Sequence, residues 1–201
     1  MRVIAGKFRS RPLHSVHGLD IRPTSDRLRE TLFNVLTAGN PQALEGSVWV
    51  DLFAGTGAVG IEAISRGASM VHFVDCARHV AELIQKNLAT LKVQEGFQIL
   101  QQKSPHALSE LDTHNVQADF VFLDPPYSER GVYRETLDAL ANSNFARQAM
   151  VIAEHEKRFD PGESFGTLQR LRRLNQGDAA LSFYRQPGEP RTADSPSPGR
   201  W

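Results

Sequence analysis

The stretch Val50-Asp51-Leu52-Phe53-Ala54-Gly55-Thr56-Gly57-Ala58-Val59-Gly60-Ile61 decides the fold. An apolar, partly β-branched run at 47–53 passes directly into closely spaced glycines and then into a helical apolar pattern at 59–66. Gly55 and Gly57 allow the backbone to turn sharply and to approach a ligand closely, because neither carries a Cβ. Their amides and the helix N-terminus behind them form a polar cradle at the carboxyl end of a strand, where open α/β sheets take their ligands.

Outward from this segment, candidate strands at 70–75, 97–101, 119–123 and 150–154 alternate with candidate helices at 77–91, 105–111 and 132–142. That alternation predicts a parallel sheet covered by helices on both faces. Beyond it, strands at 167–174 and 179–185 flank the turn residues Asn175, Gln176, Gly177 and Asp178. The expected fold is α/β and Rossmann-like: a mostly parallel seven-stranded sheet closed by an antiparallel terminal hairpin. Ahead of it, segments 3–5 and 11–13 suggest a small hairpin turning near Gly6. A helix over 25–37 would be capped by Ser25, with Asp26 in its favourable first turn. Residues 1–40 thus read as a basic N-terminal extension, 41–186 as the main domain and 187–201 as a disordered tail.

A length of 201 residues suits one ordinary domain and excludes two large ones. No apolar run approaches the roughly 20 residues needed to span a bilayer, and the start lacks a signal peptide's apolar stretch, so a cytoplasmic protein is expected. Cys76 is the single cysteine and the seven histidines are scattered, a composition that predicts neither an internal disulfide nor a metal site. The formal net charge is zero, yet residues 1–22 carry Arg2, Lys7, Arg9, Arg11 and Arg22 against Asp20 alone. A local basic arm can contact phosphates whatever the total charge, because counterion release depends on local contacts.

Gly55, Gly57 and Gly60 also fit GxGxxG, which a nicotinamide or flavin enzyme would share. Asp75, at the end of the second strand, is placed to accept both hydroxyls of a ribose diol. Asp51 discriminates: a carboxylate at that strand end would repel a pyrophosphate but accept hydrogen bonds from an ammonium such as that of methionine. The alternative for Asp51 is a loop cap bonded to backbone amides.

The fourth strand runs into Asp124-Pro125-Pro126-Tyr127. Two prolines cannot continue a β-ladder, so the strand stops in a rigid loop that aims Asp124 and Tyr127 into one cleft. An exocyclic base amine is a poor nucleophile because its lone pair is delocalised into the ring. Asp124 and the Pro125 carbonyl, accepting its two N–H bonds, would favour the tetrahedral nitrogen that attacks a sulfonium methyl. Tyr127 would stack on the extruded base.

With these motifs, the chain resembles the class I S-adenosylmethionine-dependent methyltransferases and, more narrowly, the RsmD family of bacterial 16S rRNA guanine-N2 methyltransferases. The resemblance covers about residues 1–185 and rests on the segments at 1–7, 22–30, 51–57, 124–127 and 181–184. It implies S-adenosyl-L-methionine as cofactor, bound by Thr24, Asp51, Phe53, Gly55, Thr56, Gly57, Asp75, Cys76, Ser104 and Asp124. It further implies Asp124, Pro125 and Tyr127 as the catalytic set holding a guanine. The basic arm, through Lys7, Arg9, Arg11 and Arg22, would hold RNA. The implied partner is 16S rRNA, within a small-subunit particle or assembly intermediate, with the protein a monomer and no membrane involved. Asp75, Ser104 and Gln176 depart from the family's usual Glu, Asp and Tyr.

Three alternatives share parts of this pattern. A DNA or tRNA amino-methyltransferase, acting on adenine N6 or guanine N2, would use the same Asp-Pro-Pro-Tyr loop. A nicotinamide-dependent oxidoreductase would explain the glycines and Asp75 but give Asp124 and Tyr127 no role. A non-catalytic RNA-binding module would need only the basic arm.

Overall fold

A computed structural model describes residues 1–15 and 25–187; Thr24, Arg22 and the tail beyond Pro187 lie outside the described residues. Five parallel strands, β1 (Val48–Leu52), β2 (Met70–Val74), β3 (Phe97–Leu100), β4 (Phe120–Leu123) and β5 (Met150–Glu156), build the sheet's larger part. The antiparallel strands β6 (Ser164–Phe165), β7 (Leu168–Gln176) and β8 (Ala179–Arg185) complete it in the order β3-β2-β1-β4-β5-β8-β7-β6. The seven expected strands are present, and β6 adds a two-residue eighth at the edge. Two residues carry too short a pattern to be read from sequence.

Alternation along the strands sorts their side chains to two cores. Trp49, Phe73, Phe122, Ile152 and Phe183 face α1 (Asp26–Leu36), α2 (Ala58–Ser65) and α3 (Arg78–Thr90). Val50, Leu52, Val121, Val151 and Tyr184 face α4 (Ser104–Thr113) and α5 (Arg130–Ala141). Both faces are covered, which is why the parallel strands read as continuous apolar runs. No helix among the described residues is long and apolar enough to cross a membrane.

Helix α1 begins as its sequence predicts: the Ser25 side chain accepts the Leu28 amide at 3.1 Å and Asp26 lies in the first turn. Its buried stripe of Leu28, Leu32, Phe33 and Leu36 joins the main core. The expected small hairpin before it is instead a compact loop closed by one antiparallel bridge, Arg2 to Pro12. Pro12 has no N–H to extend a ladder, and Gly6 and Ser10 both take positive φ, at +79° and +66°. A Cβ at Gly6 would lie 1.8 Å from the Ser65 carbonyl oxygen, so this turn seats against the end of α2 only as glycine.

The strand order reverses at β1: β2 and β3 lie on one side of it, β4 and β5 on the other. The crevice at the carboxyl ends of β1 and β4 is therefore the topological switch point, where α/β sheets bind ligands.

Candidate active site

The glycine loop leaves β1 with a left-handed turn. Phe53 takes φ +62°, Gly55 +52° and Gly57 +73°. A positive φ at a bulky non-glycine residue is uncommon and marks a constrained backbone, as functional loops carry. The loop is pinned from beneath and from both sides. Ala54 donates to the Val74 carbonyl at 3.0 Å, Gly57 to the Ala54 carbonyl at 2.8 Å, and the Asn87 side chain donates to the Thr56 carbonyl at 3.0 Å.

Asp75 joins this loop to the start of α3. Its Oδ2 accepts the Gly55 amide at 3.2 Å and its Oδ1 accepts the Ala77 amide at 2.9 Å. Each carboxylate oxygen has a second acceptor site, so the carboxylate can still take a diol. Exposed Cys76 follows it, and half-buried Ser104 opens α4 at the end of the neighbouring strand β3. Left-handed turns and a diol acceptor at the switch point fit an adenosyl cofactor with a methionine tail.

Asp51 makes the contact of a loop cap. It is 2% exposed, and its Oδ2 accepts the Gly60 amide at 2.9 Å, capping the first turn of α2. Burial, with added repulsion from Asp75, pushes its carboxyl up to about 8 against the opposing pull of the Gly60 amide. The fold thus favours protonated Asp51, whereas the unfolded chain loses this proton near 3.8. The folded state binds the extra proton between those values, so Asp51's contribution to stability falls as pH rises through that window. The slope should reach about 1.4 kcal/mol per pH unit at most. Urea unfolding of the wild type and Asp51→Asn from pH 5 to 8 checks this. Parallel pH profiles would show an ionised Asp51.

Across the switch point, Asp124 follows β4, half-buried, with Pro125 buried, Pro126 exposed and Tyr127 half-buried. Strand register sets Leu52 beside Leu123, so the loops after β1 and β4 start level with each other. Tyr133 of α5 supports this second loop from the opposite face of the sheet, a role its sequence gave no reason to expect. Its hydroxyl lies 2.9 Å from the Glu154 carbonyl and 3.3 Å from the Pro125 carbonyl. Burial, reinforced by the nearby Asp124 charge, pushes the Tyr133 hydroxyl up, so it stays a donor. With one proton given chiefly to the closer Glu154 carbonyl, it leaves the Pro125 oxygen able to accept a substrate N–H.

The N-terminal arm is built into the core. Val3 and Leu13 are buried, and buried Glu62 of α2 accepts the Ile4 and Ala5 amides at 2.7 and 2.9 Å. Asn87 accepts the His14 amide at 2.7 Å while holding the glycine loop, so one side chain ties the arm to the cradle. Lys7, Arg9 and Arg11 are all exposed on this arm. Arg2, Arg9 and Arg27 line an open cavity of about 440 Å³ with Asp26 and Glu30, away from the Asp124 loop. By contrast Arg29 is fully buried, bonded to the Arg2 carbonyl at 2.9 Å and to Asp26 at 2.5 Å; it holds the arm. Among the described residues, no group of three or more His, Cys, Asp or Glu could hold a metal ion.

A glycine loop after β1 facing an acidic Pro-Pro loop after β4, on a sheet ending in an antiparallel hairpin, defines a class I methyltransferase fold. The solved structure of yhhF from Escherichia coli, described as a candidate methyltransferase, matches at 30% identity and a TM-score of 0.78, covering 92% of this chain and 97% of that one. Ribosomal RNA small subunit methyltransferase D of Escherichia coli is 36% identical over 157 residues, spanning 78% of this chain and 75% of the relative. YlbH of Bacillus subtilis, described as a candidate rRNA methyltransferase, is 31% identical across 94% of this chain and 100% of its own length. Residues 1–185 match the family described as conserved hypothetical protein 95, and the chain belongs to it: this is the RsmD family whose motifs it carries.

Proposed function

We propose that this protein transfers a methyl group from S-adenosyl-L-methionine to the exocyclic N2 amine of a guanine in 16S rRNA of the small subunit. The observation that carries this reading is the Asp124-Pro125 acceptor pair, held level with the glycine loop across the switch point. The name of the Escherichia coli relative supports small-subunit rRNA as the substrate class.

The cofactor, when bound, supplies an electrophilic methyl on a positively charged sulfur. Gly55, Gly57 and Asp75 would hold it, with Phe53, Thr56, Cys76 and Ser104 along its length. Asp51 contributes by fixing the loop through Gly60. Asp124 and the Pro125 carbonyl accept the two N–H bonds of the amine, drawing its lone pair out of conjugation and toward the methyl carbon. On transfer of the methyl from sulfur to the amine nitrogen, Asp124 or water would take one amine proton. Pro126 and Tyr127 wall the base, Tyr127 by stacking. Lys7, Arg9, Arg11 and Arg22 contact phosphates, which position the RNA without specifying its sequence.

Transfer of labelled methyl to naked 16S rRNA, small subunits, tRNA and DNA, followed by nucleoside analysis, tests the proposal. The expected product is N2-methylguanosine from the rRNA or the small subunit. Label entering only tRNA or DNA, or appearing as N6-methyladenosine, would overturn it.

A further inference from the structure

We propose that Glu154 is the residue that selects guanine, by accepting the N1–H of the target base beside the amine held by Asp124. The inference rests on the methyl-transfer reading above and deepens it.

Three observations place Glu154 there. Leu123 of β4 pairs with Ala153 of β5, so Asp124 leaves the end of β4 level with Glu154, the next residue along β5. Phe122 and Ile152 face the α1 side of the sheet, and Glu154, two residues beyond Ile152 and paired with Leu181 of the same core, is placed on that side as well. Secondly, Glu154 is only 4% exposed, yet it lines a cavity of about 220 Å³ with Ser25, Arg27 and the hairpin residues Gly177 and Asp178. Thirdly, the Tyr133 hydroxyl lies within hydrogen-bond reach of both the Glu154 and Pro125 carbonyls, fixing the spacing of the two segments from the far face.

The chemistry of the base edge follows. Guanine presents its N2 amine next to N1–H, two donors side by side, whereas adenine presents its N6 amine next to N1, a bare acceptor. With Asp124 and the Pro125 carbonyl holding the amine, a neighbouring carboxylate accepts guanine N1–H and repels the adenine N1 lone pair. A base flipped into such a pocket is read on this edge.

The test exchanges donor for acceptor on both partners. 2-Aminopurine keeps the amine at C2 but has no N1–H. 16S rRNA is ligated with guanine or 2-aminopurine at the position the wild type methylates, assembled into small subunits, and offered to the wild type and to Glu154→Gln. The wild type should prefer guanine by about 10- to 100-fold in kcat/KM. Glu154→Gln, whose amide can donate to N1, should lose a similar factor on guanine, and its preference should shift toward 2-aminopurine. Affinity for S-adenosyl-L-methionine should be unchanged, which separates a lost contact from a damaged fold. An unchanged guanine to 2-aminopurine ratio in Glu154→Gln overturns the assignment, whether or not activity falls. If the wild type forms no N2-methylguanosine in any small-subunit substrate, the guanine reading itself fails, and this assignment with it.

Discussion

Asp124→Ala should lower methyl transfer by about 10² to 10³ while leaving cofactor affinity near that of the wild type; oxyanion-hole deletions of comparable kind have that size. The amine nitrogen must pass from a planar, conjugated form to a tetrahedral one. An anionic acceptor beside it stabilises the positive charge that grows on nitrogen as the C–N bond forms. Removing the carboxylate deletes that contribution in the transition state, where the charge is largest, and so acts on kcat more than on KM. The cradle is untouched, because Gly55 donates to Asp75, Asp75 accepts the Ala77 amide ahead of α3 and Gly57 donates to the Ala54 carbonyl, none of them through the β4 loop. Asn at this position keeps a carbonyl acceptor without the charge and should fall between the two. Single-turnover methylation, with calorimetric titration of the cofactor in parallel, measures both quantities. Near-normal turnover in Asp124→Ala would make the loop a structural stop for β4 and nothing more.

How far the site was legible depended on whether its residues act locally. Gly55, Gly57, Asp75 and Asp124 stand at strand ends, where the change from a period of two to glycine or proline announces a functional loop. Each lies in the structure where that change put it. Asp51 could be read two ways, because a carboxylate at a strand end suits an ammonium or a helix start equally well; the structure shows its Oδ2 on the Gly60 amide, the second of these contacts. Tyr133, Asn87 and Glu62 were illegible, since each acts across distances of 21 to 73 residues through partners no local pattern names. Their only sequence signal was a polar residue on an otherwise apolar helix face. The arm shows the same limit. Its charges were visible, but only the structure shows that Val3 and Leu13 enter the core and that the segment is fixed rather than appended.

Glu62→Ala should cost about 3 to 5 kcal/mol of stability, the range for breaking a buried ion pair by removing one partner. Glu62 and Arg29 are both fully buried, with Arg29 Nη1 4.0 Å from Glu62 Oε2. The carboxylate also accepts the Arg66 Nε at 2.8 Å and the two arm amides of Ile4 and Ala5. Deleting it removes the acceptor of the Arg66 Nε and of two backbone donors at once and leaves Arg29 with Asp26 as its remaining carboxylate, and no apolar replacement can satisfy those amides. Because Arg29 also holds the Arg2 carbonyl, the arm loses its anchor at consecutive points. Hydrogen exchange should therefore accelerate first at Ile4 and Ala5, ahead of the amides of β1 and β4. Urea unfolding gives the global loss, and exchange locates it. A loss under about 1 kcal/mol, typical of an exposed ion pair, would mean that water replaces Glu62 and that packing of Val3 and Leu13 alone holds the arm.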